Sequence, residues 1–242
     1  MEALLSLAEE ELDLSSYFEQ YSKENLEVIK VDSSKVPHLL RLKIILSESA
    51  HVEGKRFLHA KSGQVIEVDF FKQIGQLVEG TEIVSEHENK SEIEALFENY
   101  LSEHYPDGLS AVHLNENKAT VYIVATKYSP RNYWNGKWKS KIEIDLEGKT
   151  CTGNVSVIVH YYEEGNVQLN VNKPLNFSFS KIADIAKEIK SFEQEFQNGI
   201  NQVYEDLSES TFKSLRRQLP ITKSKMEWSK VFSYRLGHEM NK

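Results

Sequence analysis

The chain has 242 residues, 40% of them apolar and 27% charged, with a formal net charge of −8. That composition fits a globular protein with a substantial core, in one domain or two, and it argues against broad nucleic-acid binding. No apolar run approaches the ~20 residues of a membrane-spanning helix, and the single cysteine, Cys151, excludes an internal disulfide.

In chain order, residues 3–22 place Leu4, Leu5, Leu7, Ala8, Leu12, Leu14, Tyr17, Phe18 and Tyr21 at helical spacing. The first residues, MEALLSLAEEEL, carry acids where a secretory leader would be basic, and a cytoplasmic location is the expectation. LEVIKVD, LLRLKII and QVIEVDF then read as short strands, with a turn at Ser62-Gly63. Residues 90–103 form a clearer helix. Ser91 and Glu94 are spaced as a capping box, Ile93, Leu96, Phe97, Tyr100 and Leu101 share one face, and Pro106 and Gly108 stop it.

A dense β region follows. SAVHL, ATVYIVATK, KWKSKIEIDL, TGNVSVIVHYY and NVQLNV are separated by the turn signals NENK, SPRNYWNG, EGKT and EEGN, so the spacing predicts an antiparallel meander. EGKT has the look of a phosphate-loop ending. The full motif would need Gly at position 143, which is Glu143, so a hairpin turn is the better reading.

A long amphipathic helix is predicted over 180–208, with Ile182, Ile185, Ile189, Phe192, Phe196, Ile200, Val203 and Leu207 on one stripe. Such a helix is roughly 43 Å long at ~1.5 Å per residue. Five strands span only about 24 Å at ~4.8 Å each. A helix lying across them overhangs and leaves Phe196, Ile200 and Val203 without cover unless a partner chain extends the sheet. A helix running along the strands is the alternative.

From Thr211 onward, eight Lys and Arg face two Glu, a net of +6, so the first 210 residues carry −14. Phe212, Leu215 and Leu219 lie on one side of a helical turn, and Lys213, Arg216 and Arg217 on another. Pro220 ends that turn. Ser224 and Glu227 then begin a second helix with Trp228, Val231, Phe232 and Leu236 as its apolar stripe and Gly237 at its end.

Motifs for chemistry are absent. The eight histidines are scattered without ligand spacing, there is no nucleophile elbow and no glycine-rich dinucleotide fingerprint. No catalytic residue, metal ligand or cofactor is expected, and the chain does not read as an enzyme.

Three stretches, NYWNGKWKS at 132–140, VIVHYYEEGNVQL at 157–169 and TFKSLRRQLPITKSKMEWSKVFSYRLGHEM at 211–240, resemble the alpha subunits of the F-actin capping protein family. The likeness is nearly continuous from His104 to Met240 and thins upstream, where YFEQYSKENLEVIKVD and GKRFLHAKSGQVIEVDF keep their order. The family ordinarily carries more residues ahead of this point, so the N-terminal helical segment is expected to be shortened. The resemblance implies an α+β chain in four parts. These are an N-terminal helix (1–25), a small β region (26–88), a helix with an antiparallel meander crossed by a long helix (89–210), and a basic amphipathic tail (211–242), the family's "tentacle".

It further implies a heterodimer with a beta subunit around one continuous sheet, which binds barbed ends of actin filaments without calcium and blocks subunit exchange there. The implied actin-binding residues are Lys213, Arg216, Arg217, Lys223, Trp228, Phe232 and Arg235, with Lys223 standing where the family usually has Arg and so lacking the bidentate fork. Phe192, Phe196, Ile200 and Val203 are the implied dimer interface. Anionic phosphoinositides and acidic regulatory proteins are implied competitors for the basic surface, in the cytoplasmic actin cytoskeleton. Two alternatives stay open: a phosphoinositide or membrane-surface module using the same tail, and a dimerisation partner without capping activity. Trp134 and Trp138 are expected to pack at a loop-to-strand junction rather than to touch actin.

Overall fold

The computed structural model describes residues 14–32, 42–82, 88–162 and 167–206. Two compact units divide the chain, 1–188 and 189–242. The first unit opens with helix α1 (Leu14–Glu24). Strands β1 (Val28–Asp32), β2 (Lys43–Ile45), β3 (His51–Glu53), β4 (Arg56–Leu58), β5 (Gln64–Asp69) and β6 (Ile74–Glu82) follow. Helix α2 (Glu88–His104) precedes the long strands β7 (Leu109–Asn115), β8 (Lys118–Ser129), β9 (Trp134–Asp145), β10 (Thr150–Tyr161) and β11 (Val167–Ser178). Helix α3 (Ile182–Asp206) begins in the first unit.

Among the described residues the strands form two sheets, ordered β2-β1-β6-β5-β4-β3 and β11-β10-β9-β8-β7. The first is antiparallel except where β1 pairs parallel with β6. The second is the predicted antiparallel meander. The α+β class read from the sequence is what the structure has.

Register explains the core of the meander. Ala119, Ile144, Cys151 and Phe177 stand in one cross-strand row, and Val121, Ile142, Gly153 and Leu175 in the next. Because side chains alternate with a period of two, these rows share a face. Of these, Ala119, Val121, Ile142, Ile144, Cys151 and Leu175 are buried. Gly153 sits where strands approach closely: a Cβ there would lie 2.2 Å from the carbonyl oxygen of Lys141. α2 packs along β7 and buries Ile93, Phe97, Tyr100 and Leu101, the apolar face predicted for it. The opposite face of the meander carries Lys137, Lys139, Lys141, Asn154, Ser156, Asn170 and Asn172.

The small sheet has its own core of Ile29, Val31, Ile44, Leu46, Phe57, Ile66, Val68 and Phe70. A second cluster, Leu26 and Ile45 with Tyr122 and Val124, joins the two sheets. Two lysines of β9 reach across to the chain after α1: Lys137 Nζ donates to Glu27 at 2.8 Å and Lys139 Nζ to the Asn25 amide oxygen at 3.3 Å.

Several expectations need correction. Helix α2 starts at Glu88, so Ser91 lies inside its first turn and cannot be the N-cap. Glu94 faces Lys90 at 3.8 Å instead of reaching back to a cap, and burial raises its pKa. β9 begins at Trp134, within the stretch read as a turn; the connection is a short 3-10 turn at Pro130–Asn132 followed by Tyr133 with φ 55°. The last strand runs to Ser178, well past NVQLNV. EGKT is the expected hairpin: the Asp145 carboxylate accepts from Glu147 N at 3.1 Å and Gly148 N at 2.8 Å, an Asx turn. The part of the first helix ahead of Leu14, and residues 39–41 of LLRLKII, lie outside the described residues.

His113 on β7 is enclosed, with its ring 6.0 Å from that of Tyr122. Burial, helped by the charges of Lys90 and His59, lowers its pKa from 6.5 to about 4. As pH falls from about 6.5 to about 4, the unfolded chain takes up a proton at this ring that the folded chain refuses. Stability is therefore lost through that window and the loss levels off below it. Chemical denaturation of wild type and His113→Phe at about pH 7 and about pH 4.5 checks this: the variant should lose less of its midpoint on acidification. In the same assay Gly153→Ala should destabilise by at least about 1–3 kcal/mol, since the backbone must give way.

Candidate functional site

The sequence points to the tail for actin contact, and Lys213, Arg216, Arg217, Lys223, Trp228, Phe232 and Arg235 all lie outside the described residues. Two features of the described chain bear on partner binding, one in each unit.

In the first unit it is strand β11. Among the described residues it pairs with β10 alone, leaving one edge open over 12 residues. Natural edges are usually short or carry outward charge, bulges or proline, because an open ladder of N–H and C=O groups templates another strand. β11 has two such devices, Pro174, which removes a single donor, and Lys173, a charge on its inner face. Its register to β10 is unbroken from Val167 to Ser178, so no bulge turns it aside. Its solvent face is Gln168, Asn170, Asn172, Pro174, Asn176 and Ser178, exposed and without charge. Its other face, including Leu169, Val171, Leu175 and Phe177, is half-buried or buried. Sequence reasoning missed this length because Lys173-Pro174 reads as punctuation. The alternation of Leu169, Val171, Leu175 and Phe177 across it was the available signal.

In the second unit it is the stripe of α3. Cover fades along it: Ile189 is 0% exposed, Phe196 5%, Ile200 is half-buried and Val203 is 49% exposed. Phe192 is half-buried, its ring 6.3 Å from that of Phe196. Phe196 is thus already covered within the single chain, which corrects the expectation that it lacks cover. The outer end of the stripe, at Val203, is the part left open. Its described part has 25 residues, roughly 37 Å at ~1.5 Å per residue, and the predicted end at residue 208 lies outside the described residues.

Trp138 packs, but inside β9 rather than at a loop-to-strand junction, which is where Trp134 stands: the Trp138 Nε1 donates to Ser140 Oγ at 3.0 Å and its ring lies 5.9 Å from that of Tyr105. The thiol of Cys151 is buried and its pKa is pushed up to about 12 by desolvation, the opposite of what a nucleophile needs. Among the described residues no group of three or more His, Cys, Asp or Glu could hold a metal ion. No described helix is long and apolar enough to cross a membrane.

Comparison with known proteins gives these surfaces a context. A family model described as F-actin capping protein alpha subunit matches residues 2–239. The F-actin-capping protein subunit alpha of Chaetomium thermophilum is 37% identical over 234 residues, covering 94% of this chain and 82% of that one. That of Aspergillus oryzae is 35% identical over 236 residues, covering 94% and 84%. That of Saccharomyces cerevisiae is 34% identical over 227 residues, covering 90% and 81%. Among solved structures, the homodimeric actin capping protein alpha subunit from Plasmodium berghei shares the fold. Its TM-score is 0.63 at 17% identity, over 85% of this chain and 82% of that one.

The graded cover of α3 separates two kinds of substitution. Phe196→Ala should cost about 3–5 kcal/mol of folding stability in denaturant titrations, because it empties a filled site. Val203→Ser should change the same quantity by less than ~0.5 kcal/mol, because it exchanges exposed surface.

Proposed function

The chain belongs to the family of F-actin capping protein alpha subunits, and on that premise we propose that it caps the barbed ends of actin filaments as one half of a heterodimer with a beta subunit. The observation that supports this most is the extent of the family match. It runs to residue 239, through the whole basic tail as well as the folded body.

The tail is the proposed actin-binding element. Its net +6 follows a body of −14, and actin is acidic. A basic segment raises the rate of productive encounter by steering. Lys213, Arg216, Arg217, Lys223 and Arg235 supply that charge. The stripe with Trp228 and Phe232 then docks as an amphipathic helix in a groove and slows departure. Anionic phosphoinositides and acidic regulatory proteins compete for the same residues. The chain acts by occupying the filament end, without catalysis, in the cytoplasmic actin cytoskeleton.

The body supplies the dimer. The beta subunit adds its strands along the open edge of β11, so that the backbone groups left by β10 find partners. Phe192, Phe196, Ile200 and Val203 are the proposed interface residues on α3, with Val203 contributing fresh burial. The four-part division of the chain at residues 25, 88 and 210 belongs to the same proposal.

The direct test is co-expression with a candidate beta subunit, followed by elongation of actin from filament seeds. Growth at barbed ends should stop while growth at pointed ends continues. Barbed ends that elongate at the free rate under saturating dimer would exclude capping. Expressed alone, the chain should self-associate or precipitate, and a stable monodisperse monomer in analytical ultracentrifugation would sink the dimer proposal.

Two variant sets divide the tail's work. Replacing Lys213, Arg217 and Lys223 with Ala should slow association with barbed ends, and the deficit should shrink as salt screens the steering. Trp228→Ala or Phe232→Ala should each speed dissociation by about one to two decades. That follows from roughly 1.5–3 kcal/mol per buried large side chain and ~1.4 kcal/mol per decade. Neither should lower the thermal midpoint of the dimer. A midpoint that falls by many degrees with the off-rate unchanged would assign the stripe to the folded body.

A further inference from the structure

The polar face of the meander holds a cavity of about 460 Å³, lined by none of the residues proposed for capping. It lies wholly within the first unit. Its floor is built by register: Lys139 stands opposite Ser156, and Ser156 opposite Asn172, while Lys141 stands opposite Asn154. The end of α1 and Glu48 form its wall. The volume falls in the range of small-molecule sites, roughly 300–1,000 Å³, but the lining is polar.

Lys139 is the anomaly. It is 8% exposed. Its neighbours all have carboxylates: Lys23 meets Glu19 at 3.1 Å and Glu48 at 3.3 Å, Lys137 meets Glu27 at 2.8 Å, and Lys141 meets Glu143 at 2.8 Å. Among the described residues Lys139 has only the neutral amide oxygen of Asn25, at 3.3 Å. Buried charges are otherwise paired. Burial pushes the pKa of this ammonium down, with the charge of Lys137 adding to the effect and that of Glu27 opposing it. Around it the face offers amide and hydroxyl groups from Asn154, Ser156, Asn170 and Asn172. The cavity therefore presents a buried ammonium with no carboxylate at ion-pair distance among the described residues, ringed by hydrogen-bonding groups.

We propose that this cavity binds a small oxyanion, a phosphate monoester or carboxylate whose remaining groups are hydroxyls. Lys139 supplies the charge pairing, while Asn154, Ser156 and Asn172 hydrogen-bond the oxyanion and its hydroxyls. The two lining carboxylates, Glu24 and Glu48, are both exposed, Glu48 at 71%, and belong to the rim, so the anion sits on the β10 and β11 side of the cavity. Occupation favours the charged lysine and so draws its pKa back up. The inference does not depend on the capping reading.

The test is calorimetric titration of the full chain, in the assembly in which it purifies, with inorganic phosphate and with glycerol 3-phosphate at constant ionic strength. Both should bind saturably at one site per chain, glycerol 3-phosphate more tightly. Lys139→Met, which keeps the aliphatic stem, should weaken both at least tenfold. The Lys213→Ala, Arg217→Ala, Lys223→Ala combination should leave them unchanged, separating the cavity from the basic tail. Should Lys139→Met fail to fold, Asn154→Ala with Ser156→Ala removes hydrogen-bonding groups while keeping the charge, and should weaken glycerol 3-phosphate several-fold. Mass spectrometry after limited acetylation should show Lys139 protected by either ligand. Absence of saturable binding overturns the proposal. So does binding that survives both cavity variants, or that disappears only in the tail variant.

Discussion

The structure turns on an unfinished sheet. A strand of 12 residues pairs with β10 on one side and, among the described residues, with nothing on the other. Backbone donors and acceptors in such a ladder must find water or another strand. The defences are few: one proline and one inward lysine, no bulge, and a solvent face of Asn, Gln, Ser and that proline. An edge of this kind readily accepts a further strand. The proposed dimer would add strands there by the same backbone pairing that builds the meander itself. The uncovered end of the α3 stripe at Val203 calls independently for further cover.

The distribution of charge divides the labour between the two ends of the chain. The body carries −14 and the last 32 residues +6. A basic segment on an acidic body is attracted where the body is repelled, and in the proposed function it leads the encounter with actin. Apolar residues on the same segment are proposed to convert that encounter into residence. The polar cavity under the meander uses charge differently. There one buried ammonium is held by the strand register among amides and hydroxyls, with its neighbours already paired.

Much of this was legible in the sequence, and the failures have physical causes. The meander was readable because long strands with one buried face alternate cleanly, as in VYIVATK and KIEIDL. Helix α3 was readable from its stripe, its start to within two residues. Strands β3 and β4 were not, because three residues are too few to show a period. Strand β6 was hidden by its glycines and polar residues, and only its pairing with both β5 and β1 makes it a strand. Ser91 and Glu94 matched a capping box by spacing alone, but packing starts the helix a turn earlier. The cavity was invisible because its floor is assembled from three strands by register, and Lys139 reads in sequence as one more surface lysine in KWKSKIEID. The tail was read from charge and stripe, and its family resemblance carried the roles of its residues.

The measurement that bears most directly on this account is amide hydrogen exchange of β11 in the chain co-purified with a beta subunit. The outward amides of Val167–Ser178, Pro174 excepted, should be protected as strongly as those of the interior strand β9, because a partner strand occupies the edge. Exchange at the rate of an open edge, alongside a protected β9, would contradict it.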